Sequence, residues 1–243
     1  MPSTVRSPGC AAQPRKPLPS YSSVSLSRTW RIFLYGAAAL ALAAGATAAP
    51  QKPTKGASGC TRVAKPKPKP NGGRKPPQTK LDPGRAYDVT FVTNCGGFTI
   101  RLDVRHSPHT AASFFQLART HFFDNTIFHR IVPGFVIQGG DPTGTGTGGP
   151  GYTTIDRPPD SARYTLGIVA MAKTATQPRG ASGSQFFVVT VPDAQLPPDY
   201  ALLGRVVAGL KVVLTIGRLG NALQRPTQVV EIERTTVRVT TPP

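Results

Sequence analysis

The segment FHRIVPGFVIQGGDP, Phe128 to Pro142, constrains the fold more than any other part of the chain. Two apolar stretches flank Pro133-Gly134, a pair that favours a tight turn, so the segment predicts a buried β-hairpin. Two side chains with several hydrogen-bonding groups, Arg130 and Gln138, interrupt the apolar pattern. Because a guanidinium is costly to desolvate unless its donors are satisfied, the hairpin indicates a place where Arg130 meets a partner or a ligand.

The chain after residue 84 has the pattern of one mainly β domain. The stretches YDVTFVT and FTIRLDV alternate apolar and polar residues on either side of the turn NCGG, which predicts a first hairpin. Further strands are predicted at 165–171, 185–190, 201–207 and 229–239. Helices are predicted after Ser107, a suitable N-cap followed by Pro108, and at 209–220. Short strands without βαβ order predict an antiparallel barrel or sandwich closed at its ends by helices.

Residues 1–49 have the pattern of an export segment. A basic stretch ending in Arg28 and Arg31 precedes residues 32–49, which contain no charged residue and end in small side chains. This order is typical of a signal peptide, but the apolar length also reaches the lower limit for a membrane-spanning helix. A cleaved signal peptide, a retained membrane anchor and a buried helix are the alternatives. The first two predict an extracytoplasmic protein that is secreted or tethered to the cell envelope through 32–49.

Residues 50–84 alternate Lys with Pro, as in KPKPKPNGGRKPPQTK, and predict an extended, disordered linker. The chain has a net charge of +18, and the excess lies mostly in residues 1–84, where Asp82 is the sole acidic residue. Such a tail favours a soluble tether and no nucleic-acid partner, with polyanion binding as an alternative. Cys60 and Cys95 either form a disulfide in an oxidising compartment or are two unpaired thiols.

Familiar catalytic patterns are missing from the sequence. It contains no H-E-x-x-H, no C-x-x-C and no G-x-S-x-G, which argues against a metal site and a nucleophilic serine. The glycine motif at Gly144, Gly146 and Gly149 precedes GYTTIDRPPD, which is unsuited to begin a helix, so it predicts a surface loop and not a dinucleotide site. We therefore expect neither a metal nor a cofactor.

Three separated motifs, FHRIVPGFVIQGGD, GSQFFVV and LLGRV, resemble the cyclophilin family of peptidyl-prolyl cis-trans isomerases, and the resemblance extends over about residues 85–240. It implies that residues 85–243 form a closed eight-stranded antiparallel β-barrel with a helix over each end. It also implies rotation about X-Pro bonds in proline-containing peptides and in unfolded exported proteins. A non-catalytic proline-peptide-binding module or chaperone that uses the same groove is the alternative.

The resemblance also implies roles for individual residues. Arg130 matches the catalytic arginine of the family, although without the motif it could pair with Asp124 or Asp141. Substrate-binding positions of the family match Phe135, Val136, Gln138, Ala172, Lys173, Gln185, Phe187, Leu196 and Tyr200. The chain departs from the family at Lys173, where asparagine is frequent, and at Gln195, where an aromatic residue commonly precedes the pocket leucine. The second departure implies weakened cyclosporin binding.

Overall fold

A computed structural model of the protein describes residues 59–241. The predicted export segment, 1–49, and residues 50–58 of the predicted linker lie outside this range. Within it, no helix combines the length and the apolar character needed to cross a membrane. The helices are α1 (Pro108–Arg119) and α2 (Leu210–Gly217), and the strands are β1 (Ala86–Thr93), β2 (Gly96–Leu102), β3 (Thr126–Ile127), β4 (Arg130–Val132), β5 (Val136–Gly139), β6 (Thr154–Ile155), β7 (Ile168–Met171), β8 (Ala181–Ser182), β9 (Phe186–Val189), β10 (Leu202–Ala208) and β11 (Glu231–Thr240).

Nine strands form one antiparallel sheet that curls into a half-barrel, in the order β3-β11-β1-β2-β10-β7-β9-β5-β4, while β6 pairs with β8. The mainly β architecture with two helices is confirmed, but the closed eight-stranded barrel is wrong. The sheet is open between β3 and β4, which are parts of one continuous segment. Pairing them would require that segment to pair with itself, and its backbone N–H groups are used elsewhere: Phe128 donates to Val230 O and Ile131 to Gln224 O.

Helix α1 begins at Ser107, as predicted, but the Ser107 hydroxyl makes no capping hydrogen bond. A carboxylate from far along the chain takes its place: Asp156 Oδ2 accepts from the N–H of Thr110 at 2.6 Å, and Asp156 Oδ1 lies 2.8 Å from His109 Nδ1. A negative charge at the N-terminus of a helix also interacts favourably with the helix dipole. The sequence around Ser107 could not reveal this cap because the two partners are brought together only by the fold.

Helix α1 ends earlier than its apolar spacing suggests. His121 adopts a left-handed backbone conformation, with φ of 57°. Its N–H donates to Ala118 O, and the N–H of Phe122 donates to Leu117 O, which is the Schellman pattern of helix termination. The turn directs Phe122 and Phe123 away from the helix axis, and both side chains are buried in the main core.

The core consists of two clusters on opposite faces of the same sheet. Phe91, Phe114 and Phe123 surround Phe186 in the larger cluster, with ring centroids 5.3 to 6.0 Å from that of Phe186. Phe187, the next residue, lies in a smaller cluster on the other face. Because successive side chains of a strand point to opposite faces, β9 supplies one phenylalanine to each cluster. The smaller cluster lies beneath the candidate active site.

Residues 61–75, named the strap here, lie along the domain without forming a helix or strand. The backbone N–H groups of Lys69, Gly72 and Arg74 donate to carbonyl oxygens of the glycine-rich loop, residues 141–150, at 2.8 to 2.9 Å. The ammonium of Lys69 donates to three further carbonyls, those of His121, Phe122 and Asp124, and partial burial lowers the pKa of Lys69. The prediction of a disordered linker is therefore wrong for the strap. Carbonyl oxygens of distant segments accept hydrogen bonds from its backbone N–H groups and from the Lys69 ammonium, and these bonds hold it in place.

A disulfide joins Cys60 to Cys95 and fastens the beginning of the strap to the turn between β1 and β2. This outcome resolves the alternative that the sequence left open. Cys60 is fully buried, and the neighbouring backbone reinforces the junction, since the N–H of Thr61 donates to Asn94 O and Asn94 Nδ2 donates to Thr61 O. The cross-link reduces the entropy of the unfolded chain and so favours the folded one.

We expect the double variant Cys60→Ser, Cys95→Ser to melt about 5 to 10 °C below the wild type, since a disulfide typically contributes about 2 to 4 kcal/mol. Thermal unfolding followed by circular dichroism measures the difference. As the matched control, the wild type with the disulfide reduced should fall to the melting temperature of the variant. A variant that melts with the oxidised wild type would contradict the expectation.

Candidate active site

The register of three strands brings the polar and apolar parts of the site together. Arg130 in β4 lies opposite Gln138 in β5, and Gln138 lies opposite Phe187 in β9. Phe187 in turn lies opposite Ala170 in β7. A row of paired residues thus runs across the sheet, with the cation at its edge and the apolar rings towards its centre.

The structure places nine of the ten predicted site residues around one cleft of about 180 Å³. Phe187 and Val136 belong to the buried cluster below it and form an apolar floor. The ring of Tyr200 packs edge-on against Phe187, with centroids 5.4 Å apart. The complete lining consists of Arg130, Phe135, Val136, Gln138, Ala172, Lys173, Phe187, Leu196 and Tyr200.

Tyr164, which the sequence analysis did not single out, holds the wall of this cleft. Its hydroxyl donates to Tyr200 O at 2.6 Å and accepts from the N–H of Tyr200 at 3.0 Å. Burial raises the pKa of Tyr164 to about 12, so the hydroxyl keeps its proton throughout the neutral range. No local sequence pattern connects the two tyrosines, since they are 36 residues apart.

The guanidinium of Arg130 is held by two amide side chains. Nε donates to Gln224 Oε1 at 2.8 Å, and Nη1 donates to Gln138 Oε1 at 3.1 Å. The alternative ion pairs of Arg130 with Asp124 or Asp141 do not form. Asp141 accepts hydrogen bonds from its own loop, and Asp124 accepts from Thr235.

Because an arginine has five N–H donors, three donors of Arg130 make no hydrogen bond to the described residues and are available at the rim of the cleft. Both acceptors are neutral amides, so neither compensates the positive charge of the guanidinium. The sequence analysis missed Gln224, which lies 94 residues from Arg130 in a loop without a recognised motif.

Gln185 is the predicted site residue that the cleft does not include. Its Oε1 accepts from Gln138 Nε2 at 3.0 Å, and its Nε2 donates to the carbonyl oxygens of Gly146 and Gly148 at 2.9 Å. Gln185 therefore lies behind Gln138 and connects it with the glycine-rich loop. Both ends of its amide have partners within the protein, so Gln185 supports Gln138 and the loop.

The glycine-rich loop, residues 141–150, is organised by a buried carboxylate. Asp141 is fully buried and accepts from the backbone N–H groups of Thr143, Thr145 and Gly146. Burial alone would raise the pKa of Asp141, but these hydrogen bonds lower it below its ordinary value. A Cβ at Gly148 would collide with the carboxylate, so this position requires glycine.

His129, adjacent to the guanidinium, stays neutral at neutral pH. Both of its ring nitrogens are shielded from solvent. Burial lowers the pKa of His129 from its usual 6.5, and the charge of Arg130 adds to this effect while Asp141 opposes it. The positive charge at this edge of the cleft is therefore that of Arg130.

Lys173 is buried and paired at the other end of the cleft. Its side chain is 6% exposed, and Nζ lies 2.7 Å from Asp199 Oδ2 and 5.8 Å from the centroid of Tyr200. The ammonium also donates to Gln177 O at 3.2 Å. Because Asp199 compensates its charge, Lys173 stabilises the wall and adds no net charge to the cleft.

These features define a site that binds an apolar ring beside a hydrogen-bonding cation. Among residues 59–241, no cluster of three or more His, Cys, Asp or Glu side chains is arranged to hold a metal ion. A pyrrolidine ring fits an apolar floor of this kind, and the free donors of Arg130 lie at the rim to meet the attached amide. The fold and the site together indicate an enzyme with a half-barrel sheet that acts on proline-containing peptides.

The comparisons with known proteins identify the family. The model of the family "Cyclophilin type peptidyl-prolyl cis-trans isomerase/CLD" matches residues 88–237. A peptidyl-prolyl cis-trans isomerase of Arabidopsis thaliana is 38% identical over 159 residues, which cover 63% of this chain and 95% of the relative. Peptidyl-prolyl cis-trans isomerase-like 1 of Aspergillus oryzae is 39% identical over 157 residues, covering 63% and 96%.

Solved structures agree with this assignment. The crystal structure of a cyclophilin type peptidyl-prolyl cis-trans isomerase from Cryptosporidium parvum has a TM-score of 0.58 and 30% identity, and the match covers 65% of this chain and 99% of the other. The same enzyme has been solved in the presence of the dipeptide Ala-Pro. The present chain belongs to the cyclophilin-type family and is a peptidyl-prolyl cis-trans isomerase, as the sequence motifs predicted.

We expect Gln224→Met, which keeps the shape of the side chain but removes the acceptor, to lower kcat about fivefold with little change in KM, because the guanidinium loses one of its two holders. Peptide isomerisation kinetics measure both constants. Gln224→Glu retains an acceptor but adds a carboxylate that compensates the charge of Arg130, so it should not restore the wild-type kcat; Leu223→Ala, at an exposed neighbour, is the matched control. Equal kcat for the wild type and the methionine variant would contradict a positioning role.

Proposed function

We propose that Arg130 is the catalytic group of this isomerase. Rotation about an X-Pro bond breaks the amide conjugation, with a barrier of about 18 to 20 kcal/mol in water. As conjugation is lost, the proline nitrogen becomes pyramidal and gains a localised lone pair. A guanidinium that donates to this nitrogen binds the twisted state more tightly than either planar state, which lowers the barrier without proton transfer or a covalent intermediate.

The cleft immobilises the ring while the preceding carbonyl turns. Phe135, Val136, Phe187 and Leu196 would contact the pyrrolidine ring, and Tyr200 would close the wall. Gln138 would orient the peptide backbone through the second N–H of its side-chain amide, because Arg130 and Gln185 already use its oxygen and its first N–H. The N–H of Ala172 already donates to Gln185 O at 2.9 Å, so its carbonyl is the group that remains for the substrate.

The observation that carries this proposal is the position of Arg130, held by two neutral amides at the rim of a cleft floored by Phe187. The relative solved in the presence of Ala-Pro supports proline-containing peptides as the substrate class. A carboxylate partner would have compensated the charge. Amide partners leave it available to the nitrogen lone pair.

We expect Arg130→Ala to lower kcat/KM for an Ala-Pro-Phe peptide at least about tenfold, equivalent to about 1.4 kcal/mol of transition-state stabilisation. A protease-coupled assay or exchange spectroscopy of the cis and trans signals measures the rate. Arg119→Ala, which removes an exposed arginine at the end of α1, is the matched control and should keep full activity. An alanine variant at residue 130 with the wild-type rate would overturn the assignment of Arg130.

We also propose that the enzyme works outside the cytoplasm, on unfolded exported proteins whose X-Pro bonds isomerise slowly. The uncharged segment 32–49, preceded by basic residues, supports export through a signal peptide or retention through a membrane tether. The disulfide between Cys60 and Cys95 supports an oxidising compartment. The relatives named above are eukaryotic, so an exported bacterial type of cyclophilin rests on these features of the chain itself.

We expect the protein isolated from its native host to begin after residue 49 and to have a mass two hydrogens below that of the reduced chain. Cleavage by signal peptidase and formation of the disulfide would cause these two changes. Intact-mass spectrometry with and without reductant measures both. A full-length mass in a membrane fraction would instead indicate a retained anchor, and a full-length mass in the cytosol would contradict export.

Cyclosporin is proposed to bind this site weakly. Gln195 is exposed beside the cleft, immediately before Leu196, where the family commonly has an aromatic ring. An amide offers the drug less apolar contact than an indole. We expect Gln195→Trp to tighten cyclosporin binding at least about tenfold, as measured by inhibition of peptide isomerisation. Gln78→Trp, at an exposed position away from the cleft, is the control, and equal inhibition of both variants would contradict the role of residue 195.

A further inference from the structure

A second groove of about 490 Å³ adjoins the proline cleft. The two cavities share the lining residues Gln138, Ala172 and Lys173, so they lie side by side. One side of the groove is formed by the glycine-rich loop. A groove of this volume offers room for a short polypeptide segment beside the proline cleft.

The strap contributes to the wall of this groove through Asn71. Asn71 Oδ1 accepts from the N–H of Gly149 at 2.9 Å, and the N–H of Gly72 donates to Gly149 O at 2.9 Å. The two segments pack backbone to backbone, since a Cβ at Gly151 would lie 3.0 Å from Gly72 Cα. The family match begins at residue 88, so the strap is an addition to the family domain.

The same contacts connect the strap with the catalytic arginine. Gly149 is bonded to the strap, and its neighbour Gly148 accepts a hydrogen bond from Gln185. Gln185 accepts from Gln138, and Gln138 accepts from Arg130. The strap therefore meets the substrate groove at the loop that also supports the catalytic residues.

The chemistry of the lining indicates what the groove accepts. It contains no Asp or Glu, and its one cation, Lys173, is paired with Asp199. Hydrogen-bonding groups of Thr147, Thr153 and Gln177 alternate with backbone of the glycine-rich loop. The groove thus offers hydrogen bonds without net charge, which suits an extended peptide with neutral polar side chains.

We propose that the strap completes an extended substrate site in which Asn71 and the glycine-rich loop bind polypeptide residues that flank the proline. This inference rests on the proposed function, because it makes the groove a continuation of the isomerase cleft. It assigns a specificity-determining role to residues outside the family domain. Longer polar segments gain contacts in the groove, whereas a short peptide occupies the proline cleft.

The test compares two substrates with the same Ala-Pro centre, a tetrapeptide and a peptide of about ten residues with Ser, Thr and Asn on both sides of the proline. For Asn71→Ala in the full chain, we expect the ratio of kcat/KM for the long peptide to kcat/KM for the short one to fall about fivefold, through KM. Thr79→Ala, at an exposed residue beyond the strap, is the control and should leave the ratio unchanged.

The outcomes separate this inference from the proposed function. A wild type that fails to isomerise the tetrapeptide would refute the function of the cleft. A wild type that is active on the tetrapeptide, with the same long-to-short ratio in Asn71→Ala, would overturn the role of the strap alone. A fall in kcat for both peptides with KM unchanged would also overturn it, because the strap would then act on the catalytic residues and not on substrate.

Nuclear magnetic resonance on the labelled wild type gives a second, independent readout. Titration with the long peptide should shift the amide signals of Gly72 and Gly149, and titration with the tetrapeptide should shift those of the cleft and leave Gly72 in place. Shifts confined to the cleft with both peptides would overturn the proposal even if Asn71→Ala proved unstable.

Discussion

The hydrogen bonds that hold the guanidinium of Arg130 are the interaction on which the site depends. A cation beside an apolar cleft is costly to desolvate, and an ion pair would repay that cost by neutralising the charge. Gln138 and Gln224 satisfy two of its donors with neutral amide oxygens instead, at 3.1 and 2.8 Å. The side chain is fixed in place, yet its charge and its remaining donors stay available for a nitrogen lone pair. Burial keeps His129 neutral nearby, so no second cation competes.

The apolar half of the site depends on the alternation of β9. Phe186 fills the large core and Phe187 floors the cleft, so one strand stabilises the fold and shapes the site at once. A slip of one residue in the pairing with β5 would exchange the two rings and separate Phe187 from Gln138. The ring of Phe186 contacts four other phenylalanines of the core, which makes such a slip costly. The register of the cleft is thus set by packing on the opposite face of the sheet.

The strap extends this arrangement beyond the family domain. A disulfide fixes one end at Cys95, the ammonium of Lys69 is surrounded by carbonyl oxygens, and Asn71 meets the glycine-rich loop. The loop in turn is organised by the buried carboxylate of Asp141 and by Gln185. A series of hydrogen bonds, each of modest strength, thus connects the strap with Arg130. The geometry of the proposed catalytic site is therefore supported by residues that lie outside the cleft.

The sequence by itself determined the elements with a short repeat and the residues within contiguous motifs. Alternation predicted the first hairpin, apolar spacing predicted both helices, and the motif around Phe128 to Pro142 brought Arg130, Phe135, Val136 and Gln138 into one hairpin. Only the tertiary structure decided the open edge between β3 and β4, the cap that Asp156 gives to α1, the order of the strap and the link from Gln224 to Arg130. The cap, the order of the strap and the link to Arg130 each join groups that are far apart in the chain, and the open edge follows from the pairing of β3 with the distant β11. Nothing in the local pattern around either partner encodes these contacts.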